Sequence, residues 1–362
     1  MLKPTALASP PGSIAIVRFS ALGDLVLTVP LVQALRQAFP QAHITWITSP
    51  LGYSLLQGLE GVRFEVFDKP RSWADYRAFY RAFRGRSFDV VLALQANLRI
   101  NLLYPALRAP VKIGFDRMRA REGQWLFCNQ RIEFAGMHLA DSFLQFARRL
   151  GAEPSPVEWA LPIAEDDRAW ARQQVACLPR PLIAIHPCSS KAERNWLLGR
   201  YLETVRMAQG KWHCGFVFTG GNSPLERQYC GQLAQVAANG GLDLCGRTSP
   251  KQLAALLEQV DVLIAPDTAA IHLARAADTP VIGLYAVAPP ELSGPYRHME
   301  YVVDRYPEAV RRYLGKDAAT VLWNTRVHNP AAMELITVEE VIGQLGQVLA
   351  VSYANKRADA IS

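Results

Sequence analysis

Short apolar runs alternate with longer amphipathic stretches along the whole chain. In the first half, such runs predict strands at 14–17, 44–48, 64–67, 89–94 and 111–114. In the second half, they predict strands at 182–186, 216–219, 262–265 and 281–285. Runs that are apolar throughout are typical of parallel strands buried on both faces. Strands that alternate with helices form βαβ units, so the pattern predicts an α/β fold with parallel sheets.

Amphipathic stretches fill the intervals between these strands and predict helices. In the first half they lie at 25–39, 53–59, 71–86, 98–107 and 136–150. In the second half they lie at 166–177, 196–209, 224–238, 249–259, 269–277 and 337–351. Pro30 falls inside the first stretch, so that helix is either kinked there or restarts with Pro30 in its first turn. Thr337 and Glu340 form a capping box that opens the last helix.

A proline-rich stretch between residues 152 and 181 separates the two halves. Its prolines stand at 154, 156, 162, 179 and 181, around the helical piece at 166–177. A chain of 362 residues has room for about two domains of ordinary size. We therefore expect two Rossmann-like domains facing a cleft, at 1–165 and 166–362, with the last helix a candidate to pack back on the first domain.

Composition narrows the class of partner. The chain has 39 basic and 32 acidic residues, and its formal net charge of +7 suits an anionic partner without indicating nucleic acid. Six scattered cysteines without a CxxC pair favour reduced thiols over a disulfide framework or a zinc site. There is no run of about 20 apolar residues and no signal-peptide pattern at the N-terminus. We expect a soluble cytoplasmic protein.

The turn after the first strand carries the first candidate chemistry. Ser20, Ala21 and Gly23 are small, so the backbone can pass close to a ligand. Asp24 follows at the carboxyl end of the strand, where ligands bind in open α/β sheets. A carboxylate there can accept a proton from a substrate hydroxyl, or it can simply cap a helix; position alone favours the cap.

Two loops of the second half offer groups for a phosphate and a sugar. The loop at 186–196 holds hydroxyls, Lys191 and Arg194 before a helix, a combination that can bind a diphosphate. Gly220 and Gly221 form a close-approach turn before Glu226. That acid can accept hydrogen bonds from ribose hydroxyls, or it can be a first-turn residue stabilised by the helix dipole.

A third loop follows the strand at 262–265. Asp267 and Thr268 precede small residues that open a helix, and the N-terminus of that helix can face an anion. His272 lies one turn further on, pointing either into the cleft or into the core. The core is the more common place for a lone histidine on an apolar face.

Taken together, these motifs resemble a known family. That family has the same motifs in the same order: Ser20-Ala-Leu-Gly-Asp24, Arg194-Asn-Trp196, Gly220-Gly221 with Glu226, and Asp267-Thr-Ala-Ala-Ile-His272. The sequence is similar over residues 13–350 to the bacterial ADP-heptose:lipopolysaccharide heptosyltransferases of glycosyltransferase family 9. The resemblance implies a GT-B fold and an inverting, metal-independent transfer of heptose from ADP-heptose to the inner core of lipopolysaccharide, with no cofactor.

The resemblance also implies roles for individual residues. Asp24 would be the general base on the acceptor hydroxyl. The donor would be bound by Ser189, Ser190, Lys191, Arg194, Glu226, Thr248, Asp267, Thr268, Ala269 and His272. Many relatives have Lys where this chain has Arg194, and a guanidinium binds phosphate with a different geometry from an ammonium. The absence of a DxD motif and of a His/Cys/Asp cluster agrees with a reaction that needs no metal.

The acceptor side is predicted from charge and from the family. Residues 61–121 contain thirteen Lys and Arg against five Asp and Glu. Much of this charge can be a solvated helix face, but arginines also suit the carboxylates and phosphates of Kdo and lipid A. The predicted acceptor-binding residues are Ser20, Gly23, Lys69, Arg71, Arg117 and Arg121. The family's Ala-Arg-Glu segment points to Arg121 first.

The finer expectation is a heptosyltransferase I. The segments at 293–296, 304–307 and 323–326 look similar to a branch that adds the first heptose to phosphorylated Kdo. The alternatives are a heptosyltransferase II or III and a non-catalytic nucleotide-sugar-binding protein. A Rossmann oxidoreductase is disfavoured because no GxGxxG follows 14–17. The expected protein is a monomer that binds Kdo-lipid A at the cytoplasmic face of the inner membrane, peripherally, and binds no nucleic acid.

Overall fold

Each half of the chain builds its own parallel sheet. The structure is a computed structural model that describes residues 9–359 apart from 135, 137, 154–156 and 297, and it describes no side chains after residue 351. The chain divides into two units, Met1–Pro162 and Ile163–Ser362. The boundary predicted from the sequence lies three residues further on, after residue 165.

The first unit contains a six-stranded sheet. Its strands are β1 (Ser13–Val17), β2 (His43–Thr48), β3 (Val62–Val66), β4 (Val90–Leu92), β5 (Val111–Gly114) and β6 (Gln130–Arg131). Its α-helices are α1 (Leu22–Ala38), α2 (Pro50–Leu56), α3 (Trp73–Ala82), α4 (Leu98–Asn101) and α5 (Leu139–Arg149). Short 3₁₀ turns lie at Tyr104–Ala106 and Gln124–Leu126. The strand order is β3-β2-β1-β4-β5-β6, and every pairing is parallel.

The second unit repeats this plan. Its strands are β7 (Leu182–Ile185), β8 (Gly215–Phe218), β9 (Gly241–Asp243), β10 (Val262–Pro266), β11 (Val281–Tyr285) and β12 (Val303–Asp304). Its α-helices are α6 (Glu165–Val175), α7 (Leu198–Trp212), α8 (Pro224–Ala237), α9 (Pro250–Leu257), α10 (Ala269–Ala276), α11 (Pro290–Ser293), α12 (Tyr306–Leu314) and α13 (Val338–Asp359). Its 3₁₀ turns are Ala192–Arg194, Ala238–Gly240, Met299–Tyr301, Ala318–Thr320 and Ala332–Leu335. The strand order is β12-β11-β10-β7-β8-β9, again all parallel.

These two sheets confirm the predicted fold class of two Rossmann-like α/β units. The apolar runs became the central strands because both faces of each sheet are covered. Ile14, Ala15, Ile16 and Val17 are all fully buried, as is every residue of β7. The apolar face of α13, from Val338 to Leu349, packs in the core of the second unit. None of the helices within the described residues is long and apolar enough to cross a membrane.

Local chain signals set most helix boundaries. The capping box at Thr337 is confirmed, since its N–H donates to Glu340 Oε2 at 2.9 Å. Ser249 caps α9 by accepting from the Gln252 N–H at 3.1 Å. Of the two alternatives at Pro30, a restart is wrong, because α1 runs from Leu22 to Ala38 with Pro30 inside it. Its early start places Asp24 in the first turn.

The sequence predicted β3, one edge of the first sheet, but missed the other three edge strands. β6, β9 and β12 have only two or three residues each, too few to give an apolar run. The predicted helix at 98–107 is instead the four-residue α4 followed by a 3₁₀ turn. Helix α12 was not predicted. All six cysteines lie within the described residues and are free thiols, as expected.

Candidate functional site

Each sheet has a topological switch point at its centre. In the first unit β1 and β4 are neighbours, and the chain proceeds from them in opposite directions, to β2 and to β5. In the second unit β7 and β10 have the same relation. Ligands of open α/β sheets bind at the carboxyl ends of the strands beside such a point. The predicted site residues are therefore described from these two places outward.

Arg18 connects the groups at the first switch point. It directly follows β1, and its Nη2 donates to Asp24 Oδ2 in an ion pair. Its Nη1 donates to the Leu94 carbonyl, which follows β4. The guanidinium carbon also lies 5.3 Å from the ring centroid of Phe143, on α5. Arg18 was not predicted as a site residue, although a lone charge at the end of a buried strand was the available signal.

Asp24 has the capping role, while its role as a base stays a prediction. Its Oδ2 accepts the Ala21 N–H at 2.8 Å, so the carboxylate caps α1. That cap and the Arg18 ion pair both use Oδ2. Within the described residues no hydrogen bond reaches Oδ1, and 22% of the side chain is exposed. One carboxylate oxygen is thus held in place while the other is available to a substrate hydroxyl.

Of the predicted acceptor-binding residues, Lys69 is electrostatically coupled to this pair. Burial lowers the pKa of Lys69, as do the charges of Arg99 and Arg18, while Asp24 acts in the opposite direction. Ser20 lies half-buried in the turn, and Gly23 is buried in the first turn of α1. These residues belong to the same edge of the sheet as Asp24.

The remaining predicted acceptor arginines are exposed. Arg71 precedes α3, and its backbone N–H donates to Asp75 Oδ2 at 2.7 Å. Arg117 borders a cavity of about 720 Å³ that is also lined by Trp125, Arg131 and Arg149. Arg121 lies on the surface, where its carbonyl accepts from Asn101 Nδ2 at 3.2 Å.

Arg119, between these two arginines, is structural instead. It is buried, and its Nη1 lies 3.2 Å from Asp116 Oδ2. Its Nη2 donates to the Gly136 carbonyl at 2.7 Å. Burial and two strong polar contacts make Arg119 a brace for the segment that carries Arg117 and Arg121.

The second switch point brings two predicted donor residues together. Arg194 Nη1 lies 2.9 Å from Asp267 Oδ2, and both side chains are largely buried. The other oxygen, Asp267 Oδ1, accepts from Ser293 Oγ at 3.1 Å. Arg194 follows β7 and Asp267 follows β10, so the ion pair spans the point where the strand order reverses. Ser293 was not predicted.

The loop after β7 is shaped by its own side chains. The Ser189 N–H donates to Asn195 Oδ1 at 2.7 Å, and the Lys191 N–H donates weakly to Ser189 Oγ at 3.4 Å. Ser190 and Lys191 are exposed. Trp196 anchors the end of the loop, since it is fully buried and its Nε1 donates to the Ile336 carbonyl at 3.1 Å.

Glu226 closes the turn after β8. Its Oε1 accepts the Gly221 N–H at 2.7 Å, and its Oε2 accepts Ser223 Oγ at 2.5 Å. Burial raises the pKa of Glu226, but these hydrogen bonds and the nearby His186 outweigh it, so the pKa lies below its usual value. The structure thus shows the capping role, while contact with a ribose stays a prediction.

His186 is a buried group that the predicted site did not include. It is the first residue after β7, and its Nδ1 lies 3.0 Å from Thr219 Oγ1. Burial lowers its pKa to about 4, opposed in part by the charge of Glu226. The imidazole is therefore neutral at physiological pH.

The helix after β10 begins without a side-chain cap. Thr268 is the N-cap residue of α10, and its hydroxyl makes no capping hydrogen bond. The first N–H groups of α10, at Ala269 and beyond, can therefore face an anion. His272 is 6% exposed, in agreement with the core interpretation of the sequence. Thr248 lies half-buried in the loop after β9.

The sequence matches one known protein family over more than half of its length. Residues 76–317 match the family described as glycosyltransferase family 9 (heptosyltransferase). The chain belongs to glycosyltransferase family 9. It is therefore a heptosyltransferase, as the motifs indicated.

Individual relatives extend the likeness of this heptosyltransferase over nearly its whole length. It is 33% identical to the lipopolysaccharide core heptosyltransferase OpsX of Haemophilus influenzae, over 92% of this chain and 96% of the relative. A family 9 glycosyl transferase from Veillonella parvula superposes with a TM-score of 0.77 and 20% identity, covering 96% of this chain and 99% of the other. The Escherichia coli heptosyltransferase WaaC, solved with ADP, gives 0.69 and 20%, covering 93% and 99%. These structures confirm the fold.

The expected absence of a His/Cys/Asp cluster is wrong, because the described part of the heptosyltransferase contains one group of side chains that could hold a metal ion. Cys230, Asp243 and Cys245 each place a ligand atom within 4.8 Å of the others. Burial raises the pKa of both thiols, and Cys245 Sγ donates to the Gly221 carbonyl at 3.1 Å. A metal would have to displace a proton from each thiol, because only the thiolate is a good ligand. The metal independence of the reaction stays a prediction.

Proposed function

We propose that the protein transfers L-glycero-D-manno-heptose from ADP-heptose to Kdo in the lipopolysaccharide inner core, with inversion and without a metal or cofactor. The observation that carries the proposal is the carboxylate of Asp24. One of its oxygens is fixed by Arg18 and by the α1 backbone, and the other has no partner among the described residues. A general base needs this combination of fixed orientation and an available lone pair.

In the proposed reaction one proton moves, one bond to the anomeric carbon forms and another breaks. Asp24 Oδ1 accepts the proton of a Kdo hydroxyl as that oxygen bonds to the anomeric carbon of heptose. The bond from this carbon to the ADP oxygen breaks on the opposite face, so the configuration inverts. ADP leaves with the electron pair of the broken bond, and the product is a heptosylated Kdo.

Arg194 would neutralise most of the negative charge on the leaving ADP. Asp267 engages its Nη1, and within the described residues Nε has no acceptor. The edge formed by Nε and Nη2 can therefore donate two parallel hydrogen bonds to a phosphate. Lys191 and the uncapped N–H groups of α10 would add positive charge without a cation.

Further donor contacts follow from the same arrangement. Ser189 and Ser190 would donate to the diphosphate, and Glu226 would accept from the ribose. Thr248, Thr268, Ala269 and His272 would complete the donor site. On the acceptor side, Lys69, Arg71, Arg117 and Arg121 would neutralise the carboxylates and phosphates of Kdo-lipid A, with Ser20 and Gly23 beside the attacking hydroxyl.

The acceptor lipid also determines where the protein would work. Kdo-lipid A is held in a membrane, so we propose a cytoplasmic monomer that associates peripherally with the inner membrane. The positive excess of +7 supports attraction to anionic lipid. The finer assignment to heptosyltransferase I rests on the sequence of the 293–326 region. Addition of a later heptose, as by a heptosyltransferase II or III, is the alternative, together with nucleotide-sugar binding without catalysis.

The deciding experiment offers ADP-heptose, without metal, to three acceptors: Kdo-lipid A, phospho-Kdo-lipid A and heptosylated core. ADP release with Kdo-lipid A, with or without the Kdo phosphate, supports the proposal, and release with only the phosphorylated form identifies the phospho-Kdo branch. Release only with heptosylated core moves the enzyme to a later step. Binding of ADP-heptose with no release from any acceptor supports the non-catalytic alternative.

A further inference from the structure

A row of arginines runs along α3, outside the residues assigned to donor and acceptor. Arg77 and Arg81 lie four residues apart on one face of α3, and Arg84 follows in the turn just after the helix ends at Ala82. Together with Tyr80 and Arg108 they line a pocket of about 560 Å³. The structure thus gathers four guanidinium groups around one concave surface, which we call the α3 face.

These four charges are not neutralised by the protein. All four side chains are exposed, and within the described part of the chain none of them makes an ion pair or a hydrogen bond. Arg86, nearby in sequence, is different, since its Nη1 lies 2.9 Å from Glu65 Oε1 and its guanidinium lies over the Phe83 ring. Like charges that share a pocket repel one another. Such a surface is favourable only towards an anionic partner.

Aromatic rings lie at the same side of the helix. Trp73, in the first turn of α3, is 76% exposed and contacts the ring of Tyr76 at a centroid distance of 5.7 Å. The Tyr80 hydroxyl donates to the Leu102 carbonyl at 2.9 Å, while much of its ring stays exposed. Phe79, on the inner face, is buried in the core. Tryptophan and tyrosine with this exposure are typical of surfaces at the boundary between lipid and water.

The form of the α3 face favours a membrane over a small soluble anion. The helix has ten residues and is about 15 Å long. Arg77, Arg81 and, just beyond its end, Arg84 are therefore spread along a line. A bilayer presents many phosphates along such a line, together with an interface for Trp73. We propose that the α3 face, with the neighbouring Trp73, docks on the phosphate headgroups of anionic phospholipids.

This proposal deepens the proposed function by assigning the surface that meets the membrane. Helix α3 begins just after Lys69 and Arg71, and it follows the carboxyl end of β3, at the same sheet edge as Asp24. The helix then runs back towards the amino ends of the strands, where Arg84 and Arg108 precede β4 and β5. A bilayer along α3 would therefore lie beside the sheet, with its Trp73 end nearest to the predicted acceptor residues. Docking itself requires no transfer, so it can be measured separately from activity.

The test is co-sedimentation of the full chain with vesicles of phosphatidylcholine, with and without phosphatidylglycerol. We expect binding only to the anionic vesicles, weakened by added salt. The variant Arg77→Gln/Arg81→Gln/Arg84→Gln should bind about a hundredfold more weakly, and Trp73→Ala several-fold more weakly. Thermal unfolding and circular dichroism would check that each variant is folded.

A matched control removes the same charge elsewhere. Arg206, Arg311 and Lys316 are exposed and, within the described residues, have no ion pair. The variant Arg206→Gln/Arg311→Gln/Lys316→Gln should retain vesicle binding within a few-fold. Equal losses in both triple variants would mean attraction by net charge alone and would overturn the proposal. So would the absence of binding to anionic vesicles.

Two further measurements distinguish a soluble anion from lipid and test the proposed function separately from membrane docking. Competition by inorganic phosphate at concentrations too low to screen charge would assign the pocket to a soluble anion and overturn membrane docking. Transfer to a water-soluble Kdo acceptor should be unchanged in the α3 variant. If no acceptor supports transfer while the vesicle results hold, the proposed function fails and the docking surface stands.

Discussion

The two units have the same strand order but use their switch points differently. In each, an arginine and an aspartate pair where the order reverses, Arg18 with Asp24 and Arg194 with Asp267. In the first unit the partners are six residues apart and flank a single turn. In the second unit they come from loops after two different strands. The first pair is encoded locally, whereas the second exists only because the sheet forms.

The pairs also leave their carboxylates in different states. Asp24 uses Oδ2 for both of its hydrogen bonds, which leaves Oδ1 available. Asp267 engages Arg194 through Oδ2 and Ser293 through Oδ1. A carboxylate with both oxygens occupied is suited to hold a guanidinium in place and is poorly suited to accept a proton. This difference supports the proposed division, with proton transfer in the first unit and phosphate binding in the second.

Exchanging each aspartate for asparagine tests that division most strongly. Asp24→Asn should lower kcat by about 10²–10⁴-fold, because an amide cannot act as the base, and should leave ADP-heptose binding unchanged. Asp267→Asn should weaken ADP binding, because Arg194 loses its charged partner. ADP release and calorimetric titration measure the two effects. Unchanged turnover in Asp24→Asn would remove it as the base.

Removing Arg194 probes the phosphate side of the comparison. Arg194→Ala should weaken ADP binding by about 10–100-fold, the usual range for a hydrogen bond to a charged group. Arg194→Lys keeps the charge but loses the two-bond edge, so its affinity should be intermediate. The matched variant Arg18→Ala should leave ADP affinity intact, and an equal loss there would contradict the separation of roles.

The residues directly after the central strands differ in charge, and pH can reveal this. Arg18 follows β1, whereas His186 follows β7 and has a pKa lowered to about 4 by burial. Since the ordinary pKa of a histidine is 6.5, the unfolded chain binds a proton first, and the contribution of His186 to stability is lost as pH falls from 6.5 towards 4. The loss should approach about 1.4 kcal/mol per pH unit within that window.

This pH effect must be isolated by difference, because another group in the second unit acts oppositely. Burial raises the pKa of Asp304 to about 6, so its contribution favours the folded state at low pH and is lost as pH rises through 6. We therefore expect the free energy of unfolding of the wild type, minus that of His186→Gln, to decline between pH 6.5 and 4. A constant difference would mean that His186 titrates normally.

The smallest expected effect separates the two roles of Glu226. Glu226→Gln keeps a residue that can complete the capping box but removes the charge. If Glu226 binds the ribose, ADP affinity should fall several-fold while thermal stability changes little. Ser223→Ala, the control, removes the cap and should cost about 1 kcal/mol of stability. Unchanged ADP affinity in Glu226→Gln would leave capping as its only role.

The contrast between a local pair and a pair joined by the sheet also explains which parts of the site the sequence could predict. The strand, small turn and Asp24 lie within eleven residues, so local pattern was sufficient to identify them. Arg194 and Asp267 were each named, but their ion pair depends on β7 and β10 becoming neighbours, which no local pattern specifies. His186 was missed because its altered pKa arises from burial. The edge strands β6, β9 and β12 were missed because two or three residues have no periodicity.

The compact first pair has a consequence for how this enzyme class diversifies. The proposed base and its arginine occupy one short segment. Lys69 and Arg71 follow β3, and Arg117 and Arg121 follow β5. The loops after β3 and β5 can therefore change by insertion or substitution without altering the segment from Arg18 to Asp24. New acceptors become accessible to selection through peripheral loops, while the reaction itself is inherited unchanged.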